Sequence, residues 1–375
     1  MSGNFAVPYT DFQVQNAEAR EELRSAFDEV LDSGHYIQGP NVTNFEREFA
    51  EYCESPHATG LANGTCSLHL VLRAMGVGPG DEVITAPNSF FASAAAIALV
   101  GAKVVFADVN ADANIDPDAI EAAVTDRTKV IMPVHLTGRP VDMVRIQEIS
   151  DRHGLQILED AAQAVGSEFR GQKVGSWGTA ASFSLHPLKS LHAFGDSGIL
   201  TAQNAELIES VAMRKNHGLI DRGTCAVWSF NCRLDEVQAA LLRVQLRNLD
   251  KKIVERRRLA QRYNEMLSDW VVVPEERDGE FHTYQTYMIQ AEARDALQVH
   301  LRANGVEAIT HYPTPLHLQP AAVDLGYKMG SFPVTEQLSH RVLSLPLFPR
   351  MTAPQQDITV DAITSFYKSS GGIKR

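Results

Sequence analysis

The chain has 375 residues and a mass of 41.2 kDa, enough for two or three domains of ordinary size around a large buried core. Hydrophobic residues make up 44% and charged residues 21%, a balance that excludes a disordered tail or a fibrous repeat. Thirty-four basic side chains stand against 46 acidic ones, a net charge of −12, which argues against a surface that coats nucleic acid but leaves room for a local basic groove and an anionic small substrate.

The cysteines, Cys53, Cys66, Cys225 and Cys232, form no CxxC pair and are too sparse for a disulfide framework or a zinc cage. Reduced thiols and a cytoplasmic address are expected. The opening MSGNFAVPYTDF lacks a basic segment followed by an apolar core, so no signal peptide is expected. The most apolar stretch, Phe90 to Ala102, is interrupted by Gly101 and ended by Lys103, short of the roughly 20 residues that a membrane span needs.

In chain order, Ala19 to Leu31 reads as an amphipathic helix through Leu23, Phe27, Val30 and Leu31, stopped by Ser33-Gly34. It is expected as an N-terminal arm outside the sheet core. A second helix follows Asn63-Gly64-Thr65, with Leu68, Val71, Leu72 and Met75 at i, i+3, i+4 and i+7. Such a glycine-led helix start offers free amides and a partial positive charge to a phosphate. Gly76-Val77-Gly78-Pro79-Gly80 follows a helix and precedes a strand, the reverse of the order a dinucleotide fold requires, and reads as an ordinary turn.

Short apolar runs predict strands at Glu82 to Thr85, Lys103 to Ala107, Lys129 to Val134, Leu155 to Glu159, Ala181 to Ser184 and Ile199 to Thr201. Alternating with helical patterns, they predict an α/β domain with a largely parallel sheet covered on both faces. Leu158-Glu159-Asp160-Ala161-Ala162-Gln163 places two carboxylates at the end of one strand, where ligands of open α/β sheets bind, although Asp160 could equally cap a following helix. Lys189 follows the apolar strand Ala181 to Ser184 and precedes Gly195-Asp196-Ser197-Gly198. An amine enclosed in that setting is kept partly neutral and suits imine chemistry.

Leu234 to Leu267 reads as one long helix whose basic run, Lys251-Lys252 and Arg256-Arg257-Arg258, is expected on the surface. Beyond residue 270 the pattern changes to a strand at Thr283 to Ile289, a helix at Arg294 to Ala303 and the Pro-rich HYPTPLHLQP, which predicts a smaller α+β domain. The expected division is 1–250 and 251–375. A lysine, an aspartate and a phosphate cradle are together the set a pyridoxal phosphate (PLP) enzyme requires.

NGTCSLHLVL, PNSFFASA, GAKVVFADV, PVHLTG, EDAAQAVGS, SFSLHPLKSL with its GDSG turn, NCRLDEVQAALL and HYPTPLHLQPA together resemble the DegT/DnrJ/EryC1/StrS sugar aminotransferases, in the family's order over nearly the whole chain. The resemblance implies a fold type I PLP enzyme working as a homodimer with shared active sites. Lys189 matches the Schiff-base lysine, Asp160 the carboxylate that keeps the pyridine nitrogen protonated, and Gln163 the residue beside the ring hydroxyl. Phe90 matches the aromatic that packs on the ring. Thr65, the Cys66 amide and Ser184 match the phosphate cradle, which Asn231 reaches from the other subunit. Arg233, His311 and Tyr312 match positions that look toward the sugar nucleotide.

The implied reaction moves an amino group from L-glutamate, leaving 2-oxoglutarate, to a keto group of a nucleotide-linked sugar, at C3 rather than C4. The product would be an amino sugar for a surface polysaccharide such as O-antigen or for a glycosylated metabolite. No metal, nucleic acid or membrane partner is implied. Alternatives on the same fold are a sugar dehydratase, in which histidine replaces the lysine that this chain retains, and a non-catalytic regulatory relative. Three positions depart from the family pattern, Ser197 in the glycine turn, Asn63 where a threonine leads Gly64-Thr65, and Thr137 where an aromatic is common; Thr137 bears on the shape of the sugar pocket.

Overall fold

The structure is a computed structural model and describes residues 5–369; residues 1–4 and 370–375 of the expected domains lie outside the described residues. In chain order the strands are β1 (His57–Leu61), β2 (Glu82–Thr85), β3 (Lys103–Phe106), β4 (Thr128–Met132), β5 (Gln156–Asp160), β6 (Glu168–Phe169), β7 (Gln172–Lys173), β8 (Ala180–Ser184), β9 (Gly198–Ala202), β10 (Glu280–Phe281), β11 (Tyr287–Gln290) and β12 (Val342–Leu345). Seven of them form one sheet in the order β1-β9-β8-β5-β4-β2-β3. Strands β8, β5, β4, β2 and β3 run parallel, β9 runs against them, and β1 pairs antiparallel with β9.

Helices cover both faces, which is why the strands are apolar along their whole length rather than in alternation. On one face Leu68, Leu72 and Ile97, from the helices Gly64–Ala74 and Phe91–Leu99, pack on Val83, Val104, Leu158 and Leu200. On the other face Ile146 and Ile149 of the helix Met143–His153 pack on Ile84 and Ile131, while Phe45 and Phe49 of the helix Pro40–Tyr52 pack on Phe183 and Ile199. The fold class is α/β, and six of the seven sheet strands lie where the apolar runs predict them. Strand β1 was not predicted, because His57-Ala58-Thr59-Gly60-Leu61 is neither an apolar run nor an alternation; its pairing with β9 makes it a strand.

The long helix expected from Leu234 to Leu267 is two helices, Glu236–Arg247 and Leu249–Leu267, divided at Asn248. The division lets each segment present its apolar stripe to a different neighbour. Leu241 and Val244 pack on Ala19 and Leu23 of the N-terminal segment, whereas Leu259, Tyr263 and Leu267 enter a separate core built mainly from residues 271–363. The basic run is only partly on the surface. Arg256 is buried and its Nη1 donates to the carbonyls of Tyr284 (3.2 Å), Gln285 (3.4 Å) and Leu347 (2.9 Å).

The helix Arg294–Ala303 lies as predicted, but the strand expected at Thr283 to Ile289 begins only at Tyr287. Residues 282–286 turn instead toward the large sheet: Thr283 N–H donates to the Gly138 carbonyl and Thr286 N–H to the Thr137 carbonyl, each at 3.1 Å. At the N-terminus Val7 is buried in the C-terminal core and bridges Val306.

Candidate active site

The parallel strands end on one edge of the sheet, and the chain returns to that edge repeatedly. Asp160 is the last residue of β5, Ser184 the last of β8, and Gly198 the first of β9. Pairing of Gly198 with both Leu61 and Ser184 brings the start of the helix Gly64–Ala74 against β8. The fit is tight enough that a Cβ on Gly198 would stand 2.4 Å from the Asn63 carbonyl carbon. Ser197, by contrast, has no left-handed backbone, so the departure at that position costs no strain.

At this edge lies a cavity of about 720 Å³ lined by Thr65, Cys66, Phe90, Asp160, Gln163, Ser184, Lys189, His311 and Tyr312, within the size range of small-molecule sites. A more open groove between the N-terminal helices and Phe194 is lined by Phe12, Leu23, Phe27 and Leu241 together with polar side chains such as Arg20, Arg24 and Asp28; it lacks the enclosed amine and carboxylate that make the first cavity chemically distinctive. Asn231 and Arg233 do not line the first cavity in this chain. Asn231 is exposed, and Arg233 Nη1 donates to Asn216 Oδ1 at 3.0 Å.

Alternation along β5 separates its two carboxylates. Asp160 faces the cavity, whereas Glu159 accepts from the backbone N–H groups of Gly175 (3.0 Å), Trp177 (3.1 Å) and Gly178 (2.9 Å). His135 Nε2 lies 3.1 Å from Glu159 Oε2, and His135 Nδ1 accepts from the Val141 N–H, which assigns the ring proton to Nε2. Glu159 is therefore an anchor for the 175–178 loop.

No helix follows Asp160. The chain turns, Asp160 Oδ1 accepts from Ala162 N–H at 3.3 Å, and Oδ2 accepts from Ser93 Oγ at 2.7 Å. Burial raises the Asp160 carboxyl above its ordinary value, against the Ser93 and Ala162 hydrogen bonds and the nearby Lys189. Burial likewise depresses the Lys189 amine to about 8, although the Asp160 charge pulls it back up. His311 falls to about 4, through burial first and the Lys189 charge second, and so is neutral at pH 7.

Gln163 is fixed at both ends. Its Oε1 accepts from the Thr137 N–H at 2.8 Å and its Nε2 donates to the Tyr312 hydroxyl at 2.9 Å. Thr137 itself is buried in a left-handed conformation (φ 61°) and is not among the cavity-lining residues; its amide orients Gln163. His311 is held by Ser344 Oγ at 2.7 Å from Nδ1. Phe90 presents a half-exposed ring 6.3 Å from that of Tyr312.

At the helix start Asn63 Oδ1 accepts from the Cys66 N–H at 2.8 Å. That amide, matched to the phosphate cradle by resemblance, is thus spent on the cap. The Gly64 and Thr65 amides have no hydrogen-bond partner among the described residues and point the helix's partial positive charge at the cavity edge. An enclosed amine, a buried carboxylate, a flat aromatic ring and an open helix N-terminus fit the aldehyde, pyridine nitrogen, ring and phosphate of PLP. Among the described residues there is no His/Cys/Asp/Glu group of the kind that holds a metal ion, and no helix is long and apolar enough to cross a membrane.

Sequence reasoning missed Ser93, Tyr9, Thr286 and Gln285, all four of which line the cavity. None carries a local signal, since each reaches the site from a segment that looks unremarkable in isolation.

The family model described as "DegT/DnrJ/EryC1/StrS aminotransferase family" matches residues 17–364. The chain is 43% identical to the "Pleiotropic regulatory protein" of Geobacillus stearothermophilus, over 96% of this chain and 99% of that protein. It is 40% identical to the dTDP-3-amino-3,4,6-trideoxy-alpha-D-glucose transaminase of Streptomyces venezuelae, over 95% of each. The solved structure of S. venezuelae DesV in complex with a ketimine intermediate superposes with a TM-score of 0.94 at 40% identity, covering 96% of this chain and 98% of that one.

Proposed function

Since this chain belongs to the DegT/DnrJ/EryC1/StrS aminotransferase family and is a PLP-dependent nucleotide-sugar aminotransferase, we propose that it aminates C3 of a nucleotide-linked keto sugar with L-glutamate as donor. The observation that carries the catalytic reading is the enclosure of Lys189 and Asp160 in one cavity beside an open helix N-terminus. Position C3 is supported by the HYPTP segment and by the relatives named for 3-amino sugar transaminations. A surface polysaccharide such as O-antigen, or a glycosylated metabolite, is the proposed destination of the product.

When bound, PLP supplies an electron sink for the carbanion that forms on the donor's α-carbon. Lys189, enclosed in the cavity, would hold the cofactor's aldehyde end, and its Nζ would be the group that moves a proton at the donor's α-carbon. An amine pulled down to about 8 has a substantial neutral fraction near neutral pH, which an ordinary lysine lacks. Asp160, at the cavity wall, would as a carboxylate hold a proton on the pyridine nitrogen. Gln163 would hold the ring hydroxyl, Phe90 the ring, and Thr65, Ser184 and the first-turn amides the phosphate. His311 and Tyr312 face the sugar nucleotide.

Asn231 and Arg233, which turn away from this chain's own cavity, serve the cavity of a second copy in a homodimer. The exposure of Phe27 (44%), Leu31 (50%), Phe230 (52%) and Trp228 (92%) supports such an assembly. Four free cysteines support a cytoplasmic address.

The test is a visible absorbance spectrum of the purified protein with PLP, before and after L-glutamate, followed by mass and NMR analysis of the product from 3-keto and 4-keto nucleotide sugars. Bleaching of the yellow band and a 3-amino product are expected, and Lys189→Ala should abolish turnover while the fold persists. A 4-amino product alone would overturn the C3 assignment, and a Lys189→Ala protein with wild-type turnover would overturn the mechanism.

A further inference from the structure

The turn that carries Lys189 is held from a distant part of the chain. Gln285 lies 95 residues beyond Ser190, in the segment before β11, and reaches across to that turn. Its Oε1 accepts from both the backbone N–H of Ser190 at 2.5 Å and the Ser190 hydroxyl at 2.8 Å. Its Nε2 donates to the Leu188 carbonyl at 2.7 Å. One side-chain amide thus brackets Lys189 on both sides, and its orientation is unambiguous, because a reversed amide would set N–H against N–H and oxygen against oxygen.

Gln285 is itself immobilised. Nη1 of the buried Arg256 donates to the carbonyls of Tyr284, Gln285 and Leu347. The Lys189 backbone is closed by two further bonds, its N–H to the His186 carbonyl at 2.8 Å and its carbonyl to His192 Nδ1 at 3.1 Å. Gln285 is buried and also lines the cavity, so it stands beside the Lys189 side chain rather than behind a layer of core.

We propose that Gln285 is a positioning residue that fixes the backbone of residues 188–190 and thereby aims the Lys189 amine into the cavity. The proposal rests on the reading of Lys189 as the imine-forming residue. A lysine side chain has four rotatable bonds, and only its anchored backbone and the cavity walls limit where the amine goes. Loss of the bracket lets the turn relax toward water, and a displacement of about 1 Å at a reacting group costs on the order of 100-fold in rate.

The test uses the full-length protein and its Gln285→Met variant, which keeps length and volume but makes none of the three bonds. Competitive labelling with 1-fluoro-2,4-dinitrobenzene across pH, read on the Lys189 peptide by mass spectrometry, reports the amine without PLP. A midpoint near 8 is expected for the wild type, and a rise by about one unit or more toward the ordinary lysine value of about 10.4 in the variant. With PLP and glutamate the variant's kcat should fall by about tenfold or more, with KM for glutamate within about twofold of wild type. A role in stability alone would lower the melting temperature and leave the labelling midpoint in place.

A folded Gln285→Met protein with wild-type labelling and wild-type kcat overturns the proposal. If that variant does not fold, Ser190→Ala carries the test, since it removes only the hydroxyl bond. A smaller shift in the same direction supports the bracket, and wild-type labelling overturns it. A wild-type chain that shows the shifted midpoint and the Gln285 dependence but takes up no PLP would overturn the aminotransferase reading and leave the bracket standing.

Discussion

Asp160 and Lys189 show one physical cause acting in opposite directions. Burial penalises the charged form of each, so it lifts the carboxyl and lowers the amine. The proposed mechanism needs Asp160 charged, and its pKa is raised, so activity is lost as pH falls through the folded value. Ser93 opposes that loss with its 2.7 Å hydrogen bond to the carboxylate. Ser93→Ala removes a donor that favours the charged form, raises the Asp160 pKa further and moves the acid limb of kcat to higher pH; a kcat–pH profile identical to wild type would contradict this. Both titrating residues were legible in the sequence because each follows an apolar strand at an edge where ligands bind. Ser93 was not, because a serine inside an alanine-rich helix signals nothing until that helix is packed against β5.

At the scale of elements, the two carboxylates that end β5 do different work because a strand sends neighbours to opposite faces. Glu159 gathers three backbone N–H groups of the 175–178 loop and the His135 ring. Glu159→Ala leaves these donors buried without partners, a loss of about 3 kcal/mol or more in stability, to be read as a lower urea midpoint; a midpoint unchanged from wild type would show the loop to be held otherwise. Sequence spacing exposed both carboxylates but could not say which face pointed where. It likewise read one helix where there are two, since Leu241, Val244, Leu259 and Tyr263 keep a helical rhythm across Asn248. Only the presence of two separate cores reveals why the chain breaks there.

At the scale of the whole molecule, the cavity contains most of the expected site but not Asn231 or Arg233, and the surface that carries them is rich in exposed aromatic side chains. If the proposed dimer shares its sites, Lys189→Ala and Asn231→Ala proteins, each weakly active or inactive alone, should regain partial activity when dissociated together and reassociated. Light scattering would give the mass of a dimer, and mixtures that never exceed the activity of the separate variants would place Asn231 outside the partner's site. By itself the sequence determined the α/β class, the positions of the apolar strands and the residues that end them, because burial on both faces and strand-to-turn geometry leave their mark within a few consecutive residues. The tertiary structure alone decided that β1 is a strand, that Ser93 supports Asp160 and that Gln285 reaches the turn that carries Lys189. These depend on contacts between segments tens to hundreds of residues apart, and no local pattern of side chains encodes which distant segment will arrive.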